Sequence, residues 1–438
     1  MNKEDLEILR QNIQPLTGNK SDYDSLLALA DNTRFVMIGE STHGTQEFYR
    51  IRAEITKRLI EEKGFSAVAI EGDWPNAYHV NRYVNGTNHN GGATNALANF
   101  DRFPTWMWNN EEILRFIKWL RGHNNEHPEA AIKFYGLDLY SMHHSIDEVI
   151  KYLEKIDPKA AARARQRYSC LEHFVPASPD HEALDQYCEE EVLQQLLELR
   201  KNAFEYIKKD GFVAREEFFC AQQNAALVKS AQEYYRSLYR GEPSSWNLRD
   251  SHMAKTLEEL AIHLEKMNYR SAKIVVWAHN SHIGDASATE MSARKELNIG
   301  QMMREKHGKE ALLIGFSTYQ GSVSAASNWD MPVEHKTVIP ALKTSLEEML
   351  HEIGVKNFIL NFRDNETLRN YFDHPMLQRF IGVIYRPETE RRSHYYHANV
   401  SKQFDALIYL DETSAVKPLK AVPHWQRGEL DETYPFGV

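Results

Sequence analysis

Arg34-Phe-Val-Met-Ile-Gly-Glu-Ser-Thr-His-Gly44 decides the fold: four apolar residues, Phe35 to Ile38, stop on Gly39 and deliver Glu40 and His43 into a turn. A short run with no polar break suits a central strand of a parallel sheet covered on both faces. In open α/β sheets, ligands sit beyond the carboxyl ends of the strands, so Glu40 and His43 stand where chemistry takes place. From Gln46 to Lys63, residues Phe48, Ile51, Ile55, Leu59 and Ile60 recur at helical spacing and complete a strand-loop-helix unit.

Other stretches repeat this design. Ala67 to Ile70 ends in Glu71-Gly-Asp-Trp74, Ile132 to Leu137 ends in Asp138, and Lys273 to Ala278 ends in His279-Asn-Ser-His282. Further strands are expected at Ala311 to Phe316, Asn357 to Leu360, Phe380 to Tyr385 and Ala406 to Leu410, with helices near 292–307 and 341–353. Short helices at 3–12 and 22–30 are expected to cap the sheet, and the Asn- and Gly-rich stretch 86–99 reads as a loop near the site.

Between about 141 and 270 strand-like runs vanish, and apolar residues recur at helical spacing, as in Val192, Leu196, Leu197 and Leu199. The expected fold class is α/β, a mostly parallel central sheet flanked by helices, with a large all-helical insertion, residues 1–438 forming one catalytic domain. Helices at 182–208 and 213–240 are expected to pair as a wall or lid. The Cys170 to Pro179 segment should interrupt the helical pattern once.

Composition narrows the function. With 52 Lys and Arg against 62 Asp and Glu the net charge is −10, and no basic stripe is visible, so nucleic acid is not an expected partner. The start lacks the apolar core of a signal peptide and no long apolar run occurs, which points to a cytoplasmic protein with no membrane partner. The three cysteines, Cys170, Cys188 and Cys220, form no Cys-x-x-Cys pair and read as reduced and structural. The oligomeric state is left open.

Gly39-Glu-Ser-Thr-His-Gly44, Glu71-Gly-Asp-Trp74 and Trp277-Ala-His-Asn-Ser-His282 together resemble the erythromycin esterase family. The likeness extends to Phe103-Pro-Thr-Trp-Met-Trp108, Phe134-Tyr-Gly-Leu-Asp138, Asn247-Leu-Arg-Asp250 and Gln403-Phe-Asp-Ala406. Members of that family open macrolide lactone rings and include antibiotic resistance enzymes. The resemblance implies a metal-free hydrolase in which His43 acts as general base on water, with Glu40, Arg52, Glu71, His279 and His282 as matching site positions. The implied partner is a small-molecule ester or lactone, and no cofactor is expected.

An imidazole titrates near pH ~6.5, and a neighbouring carboxylate fixes its tautomer, so His43 is the expected base with Glu40 or Glu71 as orienting acid. Arg52, placed early on the following helix, either stabilises an oxyanion or pairs with one of the acids. His279, His282, Trp74, Trp106 and Asp138 are the expected substrate-binding residues, although aromatic residues in such runs also serve as core packing. Ser41 is a poor nucleophile, since its segment lacks the closing glycine of a G-x-S-x-G elbow. Two glutamates and three histidines would also suit zinc or manganese, which makes a metal-dependent hydrolase one alternative, and a non-catalytic or biosynthesis-associated ligand-binding protein of the same fold is another. In Ser393-His-Tyr-Tyr-His397, His394 and Tyr395 read either as surface residues or as substrate contacts.

Overall fold

A computed structural model describes residues 3–87, 91–171, 182–210, 212–239, 245–268 and 270–419. The expected break at Cys170 to Pro179 lies mostly outside the described residues, as do residues 88–90 of the expected loop. A short helix, Ala93–Leu97, forms within the described part of that loop.

The strands in chain order are β1 (Gln14–Pro15), β2 (Phe35–Ile38), β3 (Ala67–Asp73), β4 (Lys133–Asp138), β5 (Ile274–Trp277) and β6 (Ala311–Ala325). They continue with β7 (Glu334–Val338), β8 (Asn357–Asn361), β9 (Met376–Arg379), β10 (Tyr395–Ala398) and β11 (Ala406–Thr413). The main sheet runs β1-β8-β11-β6-β2-β5-β3-β4, with β7 paired to β6. Every pairing from β11 to β4 along this path is parallel, while β1, β7 and β8 join antiparallel. The fold is therefore mixed but mostly parallel and flanked by many helices. β2 lies inside the sheet between β5 and β6, as its unbroken apolar run requires.

Alternating residues of the central strands feed two cores. Phe35 and Met37 join Ile274 and Val276 on one face, while Val36 and Ile38 join Val275 and Trp277 on the other. The second face is covered by Gln46–Lys63 and Glu111–Glu126, the latter capped by the Asn110 side chain on the Ile113 N–H at 3.0 Å. The first face carries the helical segment expected at 141–270. There Phe212–Tyr239 packs against Met142–Ile156, Glu182–Lys201 and Ser245–Asn268, and the last of these also packs on β4.

Three expectations need correction. Phe380 to Tyr385 is not a strand: only Ile381 and Ile384 make isolated bridges, to Thr42 and Ala326. Its apolar residues are buried in a connector, and the neighbouring strand is β9, paired with β10 in a separate two-stranded sheet. The first helices do not cap the sheet alone, because the chain between them adds β1 as an edge strand against β8. Finally, Cys170 and Cys188 form a disulfide with Cα atoms 5.7 Å apart, leaving Cys220 free and buried. The packing of Pro158–Tyr168 against Glu182–Lys201 brings these thiols together, which no spacing rule reveals. Such a bridge is uncommon in the reducing compartment expected from the sequence.

Candidate active site

Four adjacent parallel strands, β2, β5, β3 and β4, release their polar residues at one edge of the sheet. The loop after β2 is held tightly. The Asn280 N–H donates to the Glu40 carbonyl at 2.8 Å and the Ile381 N–H to the Ser41 carbonyl at 2.8 Å. A Cβ on Gly44 would lie 1.9 Å from the Ser324 carbonyl oxygen, so only glycine lets the loop approach β6 this closely. At the end of β3 the register with β4 shifts between Ile70 and Asp73, an irregularity of the kind that re-aims side chains beside sites. The Trp108 indole N–H fixes this bend through the Glu71 carbonyl at 2.7 Å.

His43 Nδ1 lies 2.9 Å from Glu40 Oε1, and Arg52 Nη2 donates to Glu40 Oε2 at 2.7 Å. Glu40 and Arg52 are both 0% exposed. The guanidinium carbon of Arg52 lies 4.6 Å from the Tyr49 ring, 5.3 Å from Trp277 and 5.9 Å from Trp108. Among the described residues its Nε and Nη1 have no hydrogen-bond partner, so aromatic faces are their surroundings. Arg52 thus meets the site through Glu40. The Tyr49 hydroxyl donates to the His43 carbonyl at 2.6 Å, which anchors the base from below. With Nδ1 engaged, Nε2 is the ring nitrogen of His43 left for the cleft.

A second charge network stands beside the first. Arg249 binds both oxygens of Asp138, through Nε at 3.0 Å and Nη2 at 2.6 Å, and also donates to Glu71 Oε1 at 2.9 Å. His282 bridges Asp250, 3.0 Å from Nδ1, and Glu71, 3.2 Å from Nε2, under the stacked ring of Trp246. Burial alone would raise the Glu71 carboxyl, but the charges of His282 and Arg249 hold it well below the usual carboxylate value. Burial opposes charge on His282, yet Asp250 and Glu71 raise its pKa to about 9. His282 is therefore an imidazolium at neutral pH. His279 is pushed the other way, by burial and then by His43, and is a neutral imidazole. Its ring centre lies 4.7 Å from that of His43, and its backbone N–H donates to Glu71 Oε2 at 2.7 Å.

The cleft in front of these groups has a volume of about 60 Å³, and its walls include His43, Glu71, Asp138 and Arg249. The sequence-derived residues divide accordingly. His279 and His282 are 0% exposed and stand behind the cleft wall, supporting Glu71 and His43. Trp74 is in the core, stacked on Tyr135 at 5.4 Å, because the helix Trp74–Val84 starts at once and turns this residue toward the helical layer. Trp106 is buried edge-on to Phe103 at 5.3 Å, and the aromatic run lines the cleft through Phe103, Met107 and Trp108 instead. Arg249, Arg102, Tyr140 and Trp329 also line the cleft, and none of them is an expected site residue. The motif Asn247-Leu-Arg-Asp250 was the available signal for Arg249 and Asp250. Among the described residues, no group of three or more His, Cys, Asp or Glu side chains is arranged to hold a metal ion.

The model of the erythromycin esterase family matches residues 60–413. The chain belongs to that family. The erythromycin esterase match includes Glu71, Asp138, Arg249, His279 and His282, whereas Glu40 and His43 precede it. Relatives extend over both parts. A putative hydrolase of Bacillus subtilis is 21% identical over 92% of this chain and 90% of its own. An erythromycin esterase type II from Escherichia coli is 22% identical over 90% of this chain and 93% of its own. A mutant erythromycin esterase solved in an open conformation, 19% identical, superposes with a TM-score of 0.66 over 92% of this chain and 96% of that one. The family and both relatives carry hydrolase names, and among the described residues no helix is long and apolar enough to cross a membrane.

Proposed function

We propose that this chain hydrolyses compact carboxylic esters or lactones by activating a water molecule on His43. The observation that carries this reading is the buried line Arg52, Glu40, His43, in which each oxygen of Glu40 has its own partner and His43 Nε2 is left for the cleft.

In the first step Nε2 removes a proton from water as the water oxygen bonds to the acyl carbon. Glu40 keeps the proton on Nδ1 and stabilises the imidazolium that forms. Negative charge develops on the former carbonyl oxygen. Arg249 is the cation placed for it: it lines the cleft, and its Nη1 makes no bond to a carboxylate, its contact being His282 Nε2 at 3.2 Å. When the ester C–O bond breaks, the imidazolium returns its proton to the departing alkoxide. An ester yields one acid and one alcohol, a lactone a single hydroxy acid, and the base is regenerated. Glu71 and Asp138 hold Arg249, and His282 holds Glu71, so these residues position the cation.

The size of the cleft favours a compact substrate, since ordinary small-molecule sites enclose ~300–1,000 Å³. Incubating the protein with aryl esters, small lactones and macrolides, and reading the products by mass spectrometry, tests the proposal. Cleavage of a compact ester into its acid and alcohol, or gain of one water on a small lactone, with no acylated protein during turnover, is the expected result. An acyl adduct on Ser41 would replace the water route, and turnover of macrolides alone would overturn the substrate size.

A further inference from the structure

We propose that the pocket next to the cleft is a subsite for an aromatic, carboxylate-bearing part of the substrate, gripped by Arg386 and Arg392; this assignment rests on the hydrolase reading above. The pocket has a volume of about 170 Å³ and shares Trp329 and Val383 with the cleft as common walls. Trp329 meets Phe103 of the cleft at 5.4 Å, and Phe380 of the pocket meets His279 at 6.1 Å, which in turn lies 4.7 Å from His43. A ligand filling both spaces would pass Trp329 and Val383, with one part in the cleft that His43 lines.

The chemistry of the walls selects the ligand. Phe380 is stacked on Tyr396 at 4.0 Å with the rings 9° from parallel, a flat apolar surface suited to another ring. Arg386 and Arg392 line the same pocket. Arg386 is oriented by neutral acceptors, the Ser327 carbonyl at 2.9 Å and Asn328 Oδ1 at 3.2 Å, so its charge is aimed but not cancelled. Arg392 makes no ion pair or side-chain hydrogen bond among the described residues. The acidic side chain of this pocket, Glu290, is engaged by His397. His394, driven to a pKa of about 4 chiefly by burial, is neutral and contributes no charge. In a protein of net charge −10, two guanidiniums that lack carboxylate partners beside an aromatic floor favour an anionic aryl group over a cationic one.

The test compares 4-acetoxybenzoate with its neutral counterpart 4-acetoxybenzamide. The wild type is expected to favour the carboxylate by about tenfold in kcat/KM, expressed in KM, and the R386Q/R392Q double variant to lose that preference. Equal rates on the two esters in the wild type would overturn the subsite, as would a proportional loss on both esters in the variant. Binding of the product 4-hydroxybenzoate, followed by calorimetry, separates the two claims. Binding that depends on the arginines without turnover would sustain the subsite and sink the hydrolase reading. Turnover without carboxylate preference would do the reverse.

Discussion

Arg249 Nη2 stands 2.9 Å from Glu71 Oε1, although 178 residues separate them in the chain. The contact ties the helix Ser245–Asn268 to the end of β3 at the point where the sheet opens into the cleft. Its energetic weight lies in what is left when it is cut. Removing Arg249 strips the Asp138 carboxylate of its cation and leaves Glu71 only His282 and the His279 N–H, both carboxylates being 3% exposed in a low-dielectric site.

Arg249→Met is accordingly expected to cost about 3–5 kcal/mol of unfolding free energy, the scale of breaking a buried ion pair from one side. Urea unfolding of the variant measures this. Adding Asp138→Asn should recover part of the loss, since one stranded charge is then neutral. A loss under 1 kcal/mol would mean that water reaches the network.

His282 gives the molecule a pH signature. Its folded pKa of about 9 lies above the unfolded value of ~6.5, so its stabilisation is complete below pH ~6.5 and is lost as pH rises through about 9. Glu71 has the opposite sign: its depressed pKa stabilises above the ordinary carboxylate range and is lost on acidification through its folded pKa. Unfolding free energy should fall between pH 6.5 and 9, and His282→Asn should flatten that interval. An unchanged slope in the variant would assign the titration elsewhere.

Arg52 acts through Glu40, and its loss should be visible in chemistry as well as in stability. Arg52→Met is expected to lower kcat more than it raises KM and to shift the acidic limb of the kcat profile, because Glu40 loses its anchor. Arg52→Lys should restore part of the rate. A variant with reduced stability but an unaltered pH profile would make Arg52 a packing residue only.

The bridge between Cys170 and Cys188 spans 18 residues of sequence, for which loop closure in the unfolded chain predicts roughly 3 kcal/mol of stabilisation. Thermal unfolding with and without dithiothreitol, against Cys188→Ser, checks it. Identical midpoints in all three conditions would show that the thiols are not bridged in solution.

The strand ends were legible because an apolar run closing on Glu40, Glu71, Asp138 or His279 combines two signals, burial and then chemistry, within a few residues. Arg249 and Asp250 were not assigned a role from pattern because they sit inside a long helix, where charged residues usually face solvent. Only the fold turns both inward, at 7% and 0% exposure. Trp74 and Trp106 illustrate the converse: sequence proximity to a site residue says nothing about which way a ring points, and both rings went to the core. Trp329 lies in a connector without periodicity and Val383 in an apolar run that reads as a strand, and only the fold makes them walls shared by two cavities.

The most direct test of the account is the turnover number of His43→Asn on a compact aryl ester, measured beside the wild type with thermal unfolding as a control. The predicted result is a loss of about 10²–10⁴ in kcat with KM and the unfolding midpoint little changed, the scale of removing a general base. Full turnover by His43→Asn would contradict the mechanism.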